Sequence, residues 1–243
     1  MEKMNNNSND GEWMKNQKLL VISPHPDDAI IGCGGLMAKI KSMGGEVYVM
    51  TIVLGDEPQY GSESKADKRK EEEVNAMKAL NVDGHEIALK DGNFHLKLDA
   101  MPQKELIDLI EKKSLLSIEK LKPTIVAAPS IHSENQDHVA VATAAFTALR
   151  PRPHNLKHFT NTVIAYEQGS TFWSLGSFKP DFFVDISAHI KEKMDALSFY
   201  KSQIPAKGES PRTLESIETL SKLRGSNICV KYAEAFELLR IKI

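Results

Sequence analysis

The sequence predicts an α/β fold, a mostly parallel sheet with helices on both faces. Three observations carry that expectation. Short β-rich runs alternate with helical stretches from Lys18 onward. The runs are nearly continuous in apolar residues, as strands buried on both faces are. The β-α-β-α order suits parallel neighbours joined by crossover helices. Residues 19–22, 47–53, 86–89 and 124–128 read as the first strands. Residues 36–43, 65–80 and 103–121 read as helices, with Ala66, Val74, Met77 and Leu80 on one face of the second. Gly44-Gly45 ends the first helix as a left-handed cap would, and Pro123 follows the third. Beyond them, 137–149 reads as a helix, 162–166 and 182–185 as strands, and 190–202 and 214–223 as helices. Pro151, Pro153, Pro180, Pro205 and Pro211 punctuate these elements without marking a domain break. Residues 1–16 are polar, Asn-rich and aperiodic, which reads as a mobile tail and leaves 17–243 as one domain.

Composition narrows the function. With 31 Lys and Arg against 33 Asp and Glu, the formal charge is −2. No long-range attraction to nucleic acid or an anionic membrane is expected from that balance. No stretch approaches the about 18 apolar residues of a membrane span, and the N-terminal MEKMNNNSND lacks the apolar core of a secretory signal. Cys33 and Cys229 form no spaced framework. A reducing cytoplasm is the simpler setting, with a single disulfide left open. The expected partner is a small molecule; a homo-oligomer is compatible with the sequence.

The segment Ser23-Pro-His-Pro-Asp-Asp-Ala-Ile-Ile-Gly-Cys-Gly-Gly35 follows the first strand directly. Ligands in open α/β sheets bind at the carboxyl ends of strands, so the position suits a site. His25 and Asp28 flank a turn stiffened by Pro24 and Pro26. An imidazole and a carboxylate suit zinc, given a third ligand from elsewhere. Asp27 would then reach a metal-bound water and take its proton during attack. Two blander readings stand beside this one. Pro-Asp-Asp is also a helix cap, and Gly32-Cys33-Gly34-Gly35 is a glycine turn of the kind that binds nucleotides. The second is weak: the spacing is not Gly-x-Gly-x-x-Gly, and two carboxylates precede it. Those glycines better serve close approach of helix to sheet.

The strand at 124–128 is followed by Pro129-Ser-Ile-His-Ser-Glu-Asn-Gln-Asp-His138 and a helix. His138 falls at the same rim as His25. Two residues after one strand and a histidine after another make three protein ligands, which leaves a fourth position open as a catalytic zinc site requires. Asp137 has two readings, orienting a histidine or capping the helix, and capping is the commoner.

His-Pro-Asp-Asp with a glycine-rich turn, and Asp137-His138 far along the chain, resembles the LmbE/PIG-L family of zinc de-N-acetylases. The resemblance continues through Arg69-Lys-Glu-Glu-Glu ahead of Ala79-Leu80, Leu89-Lys-Asp-Gly92, Phe182-Phe-Val-Asp-Ile186, Ser202-Gln203 and Tyr232-Ala-Glu-Ala-Phe236. It implies a Rossmann-like, LmbE-like fold and an amino-sugar N-acetyl substrate. It further implies His25, Asp28 and His138 as ligands of Zn2+ (Fe2+ also suits such a set), Asp27 as general base, and Arg69 and Asp91 as substrate contacts. For the last two, a solvated helix charge and an ordinary Asp-Gly turn are the alternatives. The chain departs from the family pattern in two places. Ala29 and Ile30 stand where a Glu is common, and Asn135 replaces the first histidine of His-x-Asp-His. An Asn amide there can donate to the oxyanion, but it supplies no proton to the leaving amine. A non-catalytic metal-containing sugar-binding protein is the rival reading.

Tyr166-Glu167 could line the pocket, and Phe172 and Trp173 could stack on a sugar. Arg212 and Arg224 read as anion contacts or, more simply, as scattered helix charges. His132 offers itself as a proton donor or as a loop histidine.

Overall fold

The computed structural model describes residues 12–59, 62–90, 92–169 and 173–242. Seven strands form one sheet: β1 (Lys18–Ser23), β2 (Glu46–Val53), β5 (Gly84–Leu89), β6 (Ile125–Pro129), β7 (Thr162–Tyr166), β8 (Phe182–Asp185) and β9 (Ala233–Arg240). Their order is β5-β2-β1-β6-β7-β9-β8. The first five run parallel, while β9 is antiparallel to both β7 and β8. A hairpin of β3 (Glu57–Gln59) and β4 (Ser62–Ser64) stands apart. The helices are α1 (Asp28–Ser42), α2 (Ala66–Ala79), α3 (Gln103–Asp108), α4 (Ile118–Leu121), α5 (Gln136–Ala148), α6 (Ile190–Leu197) and α7 (Leu214–Asn227). Among the described residues, no helix is long and apolar enough to cross a membrane.

Alternation along each strand divides the core in two. Leu19, Val21, Val47, Val49, Ile125 and Ala127 face one side with α1, and Leu20, Ile22, Met50, Ile52, Val126 and Ala128 face the other with α5. This double-sided burial is why the strands read as continuous apolar runs.

The chain differs from its sequence reading at several elements. The first helix begins at Asp28, well before residue 36, although Gly32, Gly34 and Gly35 lower its intrinsic propensity. Tertiary contact compensates. A Cβ on Gly32 would lie 2.2 Å from the Tyr166 ring, and one on Gly35 2.6 Å from Ile186, so these glycines do allow close approach. Gly44, at φ +79°, ends the helix as expected: the Gly45 amide bonds the Ile40 carbonyl at 3.0 Å and the Gly44 amide that of Lys41 at 3.1 Å, a Schellman closure. The helix expected over 103–121 is broken. A π turn at Leu109–Lys113 follows α3, and α4 ends on Lys122 at φ +53°. Buried Glu111 in that turn pairs with Lys157 and Arg150. The sixth helix stops at Leu197, after which buried Tyr200 bonds the Pro26 carbonyl at 2.8 Å. Residues 1–11 lie outside the described residues. Of the expected tail, Glu12–Met14 forms a 3-10 turn whose Met14 is buried in the core and whose Trp13 packs against it.

β9 was not evident in the sequence, and it brings Glu234 against α1. The carboxylate accepts the amides of Gly35 and Leu36, each at 2.8 Å. In a regular helix those amides point to the carbonyls of Ile31 and Gly32. Lys193 of α6 donates to the Ile31 carbonyl at 2.7 Å and pairs with Glu234 at 2.8 Å, both residues being buried. Removing one partner strands the other charge. Glu234→Ala is therefore expected to cost about 3–5 kcal/mol, read as a lower urea midpoint; an unchanged midpoint would mean that α1 stands without this plug.

Candidate active site

The carboxyl ends of the two central neighbours, β1 and β6, deliver the site. After β1, the Ser23 hydroxyl donates to the His25 carbonyl at 2.5 Å and accepts the Ala29 amide at 3.0 Å, which closes the turn. The His25 amide donates to Asp28 Oδ2 at 3.0 Å. After β6, Asn135 caps α5: its side chain accepts the Asp137 amide at 2.9 Å. Asp137 and His138 then lie in the first turn of that helix.

These two loops bring His25, Asp28 and His138 together, all buried. His25 Nδ1 is 3.3 Å from His138 Nε2 and 3.3 Å from Asp28 Oδ2; His138 Nε2 is 3.1 Å from the same Oδ2. Donors about 2.0–2.1 Å from a tetrahedral ion stand roughly 3.3 Å from each other. The three atoms thus already have the spacing a zinc-sized ion requires.

Asp137 acts on this trio, contrary to the expectation that it merely caps. Its Oδ2 lies 3.1 Å from His25 Nε2 and accepts the Leu96 amide at 2.8 Å, while Oδ1 accepts the Leu98 amide at 2.8 Å. A carboxylate only accepts, so His25 donates from Nε2 and its Nδ1 faces the trio as a ligand must. Burial lowers the His25 pKa, but hydrogen bonds to Asp137 and Asp28 outweigh it and raise it to about 9. The proton this places on His25 must leave when a metal enters. Burial would likewise raise the Asp28 carboxyl, yet His138 and His25 hold it well below the carboxylate range. Asp137→Asn is expected to weaken metal affinity about 10–100-fold, measured by chelator competition. An unaltered affinity would reduce Asp137 to a brace for residues 96–98.

Asp27 holds the N-cap position of α1 but makes no side-chain cap bond. Its Oδ2 is paired with Arg212, whose guanidinium is also 3.9 Å from Asp28 Oδ1. Asp27 Oδ1 is buried and has no hydrogen-bond partner among the described residues. Arg212 was set aside in the sequence as a scattered helix charge; a lone arginine in the loop before α7 carries no signal of where it reaches. Its neighbour in that reading, Arg224, pairs with Glu167 away from the trio, which occupies the carboxylate expected to line the pocket.

Arg69 is 1% exposed. Its Nη1 donates to the Gly55 carbonyl at 2.7 Å and lies 3.1 Å from His95 Nε2, while Nη2 lies 3.0 Å from Glu57 Oε2. Asp91 lies outside the described residues; Gly92 beside it has φ +69°, as a turn requires. His95 was not singled out in the sequence, where it is one histidine in a loop. Its ring stands edge-on to that of His25, with centroids 5.3 Å apart. Glu73 also lies close, fully buried, with a hydrogen bond from the Thr51 hydroxyl. Burial raises its pKa to about 8, against the Thr51 hydrogen bond and the Arg69 charge. His132 pairs with Glu237 at 3.7 Å. Trp173 is exposed and, with Leu175, Glu134 and Gln136, walls a groove of about 950 Å³; Phe172 lies outside the described residues.

Residues 20–149 match the family described as PIG-L, GlcNAc-PI de-N-acetylase. The chain belongs to the PIG-L family. The match covers both halves of the site, from the His-Pro-Asp-Asp turn to Asp137-His138. A diacetylchitobiose deacetylase of Thermococcus kodakarensis is 28% identical over 198 residues, 78% of this chain and 71% of its own. A protein of Escherichia coli K12 described as an uncharacterized deacetylase, YaiS, is 29% identical over 192 residues, 77% of this chain and 92% of its own. Two solved structures share the fold. N,N′-diacetylchitobiose deacetylase from Pyrococcus horikoshii superposes with a TM-score of 0.65 at 23% identity, over 94% of this chain and 86% of that one. GalB, a 4-carboxy-2-hydroxymuconate hydratase from Pseudomonas putida KT2440, gives 0.71 at 19% identity, over 93% and 98%. A hydratase on the same PIG-L-like scaffold means that the fold alone does not fix a reaction; family membership and the trio carry the deacetylase assignment.

Proposed function

We propose that this protein is a zinc-dependent hydrolase that removes the acetyl group from an acetamido sugar or its conjugate. The observation that carries the reading is the buried trio His25, Asp28 and His138 at metal-donor spacing, with the Asp27 carboxylate beside it. A bound zinc supplies Lewis acidity and lowers the pKa of water to about 7; Fe2+ would suit the same donors. His25, Asp28 and His138 hold the ion, and Asp137 fixes the His25 ring. Asp27 takes the proton of the attacking water at its unpartnered Oδ1. Arg212 holds the other oxygen, Oδ2, and so fixes the direction in which Oδ1 faces. Asn135, with its oxygen committed to the α5 cap, keeps its amide hydrogens free to donate to the developing oxyanion. Asp27, once protonated, returns the proton to the departing amine. The products are acetate and a free amino sugar.

The sugar assignment is supported by the diacetylchitobiose deacetylases among the relatives. Arg69 and Asp91 remain the proposed substrate side of the pocket, with Arg69 acting from behind Glu57 and His95. Zinc-loaded protein should carry about one ion per chain and release acetate and amine in equal amounts from N,N′-diacetylchitobiose or N-acetylglucosamine. Zinc-loaded protein that leaves these and longer acetamido sugars intact would favour a sugar-binding protein without turnover.

A further inference from the structure

We propose that His95 is a hydrogen-bond donor to the acetamide oxygen of the substrate, acting through its Nδ1–H; this rests on the deacetylase reading above. Three observations lead there. First, the tautomer is set from one side. Arg69 Nη1 lies 3.1 Å from His95 Nε2, and a guanidinium only donates. Glu57 Oε2, an acceptor, is farther from the same nitrogen at 3.5 Å and is itself held by Arg69 Nη2 at 3.0 Å, so the nearer neighbour selects Nε2 as the acceptor and puts the proton of a neutral imidazole on Nδ1. Second, that Nδ1 is buried and has no partner among the described residues, in a residue only 8% exposed. A buried donor left unpaired is costly, and a ligand that accepts from it repays the cost. Third, the ring lies beside the trio. Its centroid is 5.3 Å from that of His25, at 79°, the same centroid distance that separates the two ligand histidines.

The surroundings fit a fixed donor. A Cβ on Gly55 would fall 2.5 Å from the His95 Cβ, so the glycine lets the histidine lie flat on that loop. Glu57 Oε2, 3.5 Å from His95 Nε2 and 3.0 Å from Arg69 Nη2, closes the far side. Arg69 is thus a positioning residue that acts through His95. Glu57 and Arg212, with side chains 20% and 30% exposed, are the more open of these groups. The arrangement also answers a departure in the sequence. Position 135 holds a helix-capping Asn where the family commonly has histidine, and His95 brings an imidazole donor to the same trio from another strand end.

Two measurements test the proposal, and the first needs no turnover. In zinc-loaded protein, long-range ¹H–¹⁵N spectra should show His95 protonated at Nδ1 and bare at Nε2. Added acetate, which offers a carboxyl oxygen at the metal, should shift the Nδ1 signal. The opposite tautomer, or no response while acetate binds, overturns the proposal. The second compares His95→Asn with His95→Gln. An Asn amide nitrogen falls near the imidazole Nδ1 position and a Gln amide nitrogen near Nε2. With N,N′-diacetylchitobiose as substrate, Gln should lower kcat by about 10²–10³-fold at unchanged zinc content, and Asn by less than tenfold. Equal losses in both, or loss of zinc in both, would make His95 a support for His25 and end the donor role. A wild-type protein that hydrolyses neither this sugar nor longer acetamido sugars refutes the deacetylase reading, whereas the tautomer and the acetate response still judge His95.

Discussion

Asp27→Asn will keep its full metal content and lose about 10³-fold in kcat, within the 10²–10⁴ range typical of a general base. The geometry argues for this size of effect. Asp27 is 1% exposed and stands next to Asp28 in sequence, yet it contributes no atom to the trio. One of its oxygens is bound by Arg212 and the other has no partner. Asn preserves the shape and an acceptor for Arg212, but its amide takes no proton from water at neutral pH. KM should move only a few-fold, because the loss falls on the step and not on sugar binding. Acetate release and metal content per chain are the two readings. Turnover within tenfold of wild type would transfer the base role, with buried Glu73 the next carboxyl to test.

His138→Ala will remove both metal and activity. Its Nε2 is one of three donors and the only one supplied by β6 and α5, so the variant keeps a two-point site from a single turn. Loss of a ligand should exceed the about 10–100-fold that a supporting residue commands. The fold should survive, since His138 caps nothing and its Nδ1 makes no hydrogen bond among the described residues. Elemental analysis and a thermal melt together decide the matter. A variant that retains one ion per chain would mean the trio is not the metal site.

The convergence of His25, Asp28 and His138 was legible in the sequence because its signal is local. A histidine and a carboxylate in a proline-stiffened turn after a buried strand announce themselves, and a second histidine after another strand completes the set. Helpers recruited over long distances were not legible. Asp137 reads as an ordinary first-turn acid until the Leu96 and Leu98 amides, from a loop about 40 residues earlier, are seen to converge on it. His95 and Arg212 reach the site only because the sheet brings the loops after β5 and before α7 to one rim. The fold shows the same division. Continuous apolar runs exposed the parallel strands, while β9 was hidden by Glu234 and Glu237 within its pattern. The glycines that suggested a turn at 32–35 lie inside α1, since contacts with Tyr166 and Ile186 override propensity.

The plug formed by Glu234 and Lys193 bears on how the protein is made. Synthesis runs from the N-terminus, and α1 with Asp28 leaves the ribosome before β9 does. The amides of Gly35 and Leu36 then wait for an acceptor that arrives only with β9, about 200 residues later. The nascent chain thus holds the His25–Asp28 turn on an unfinished helix until β9 has emerged. A ribosome stalled before residue 234 would display a chain that owns His25, Asp28 and His138 but has not yet locked the helix that aims Asp28.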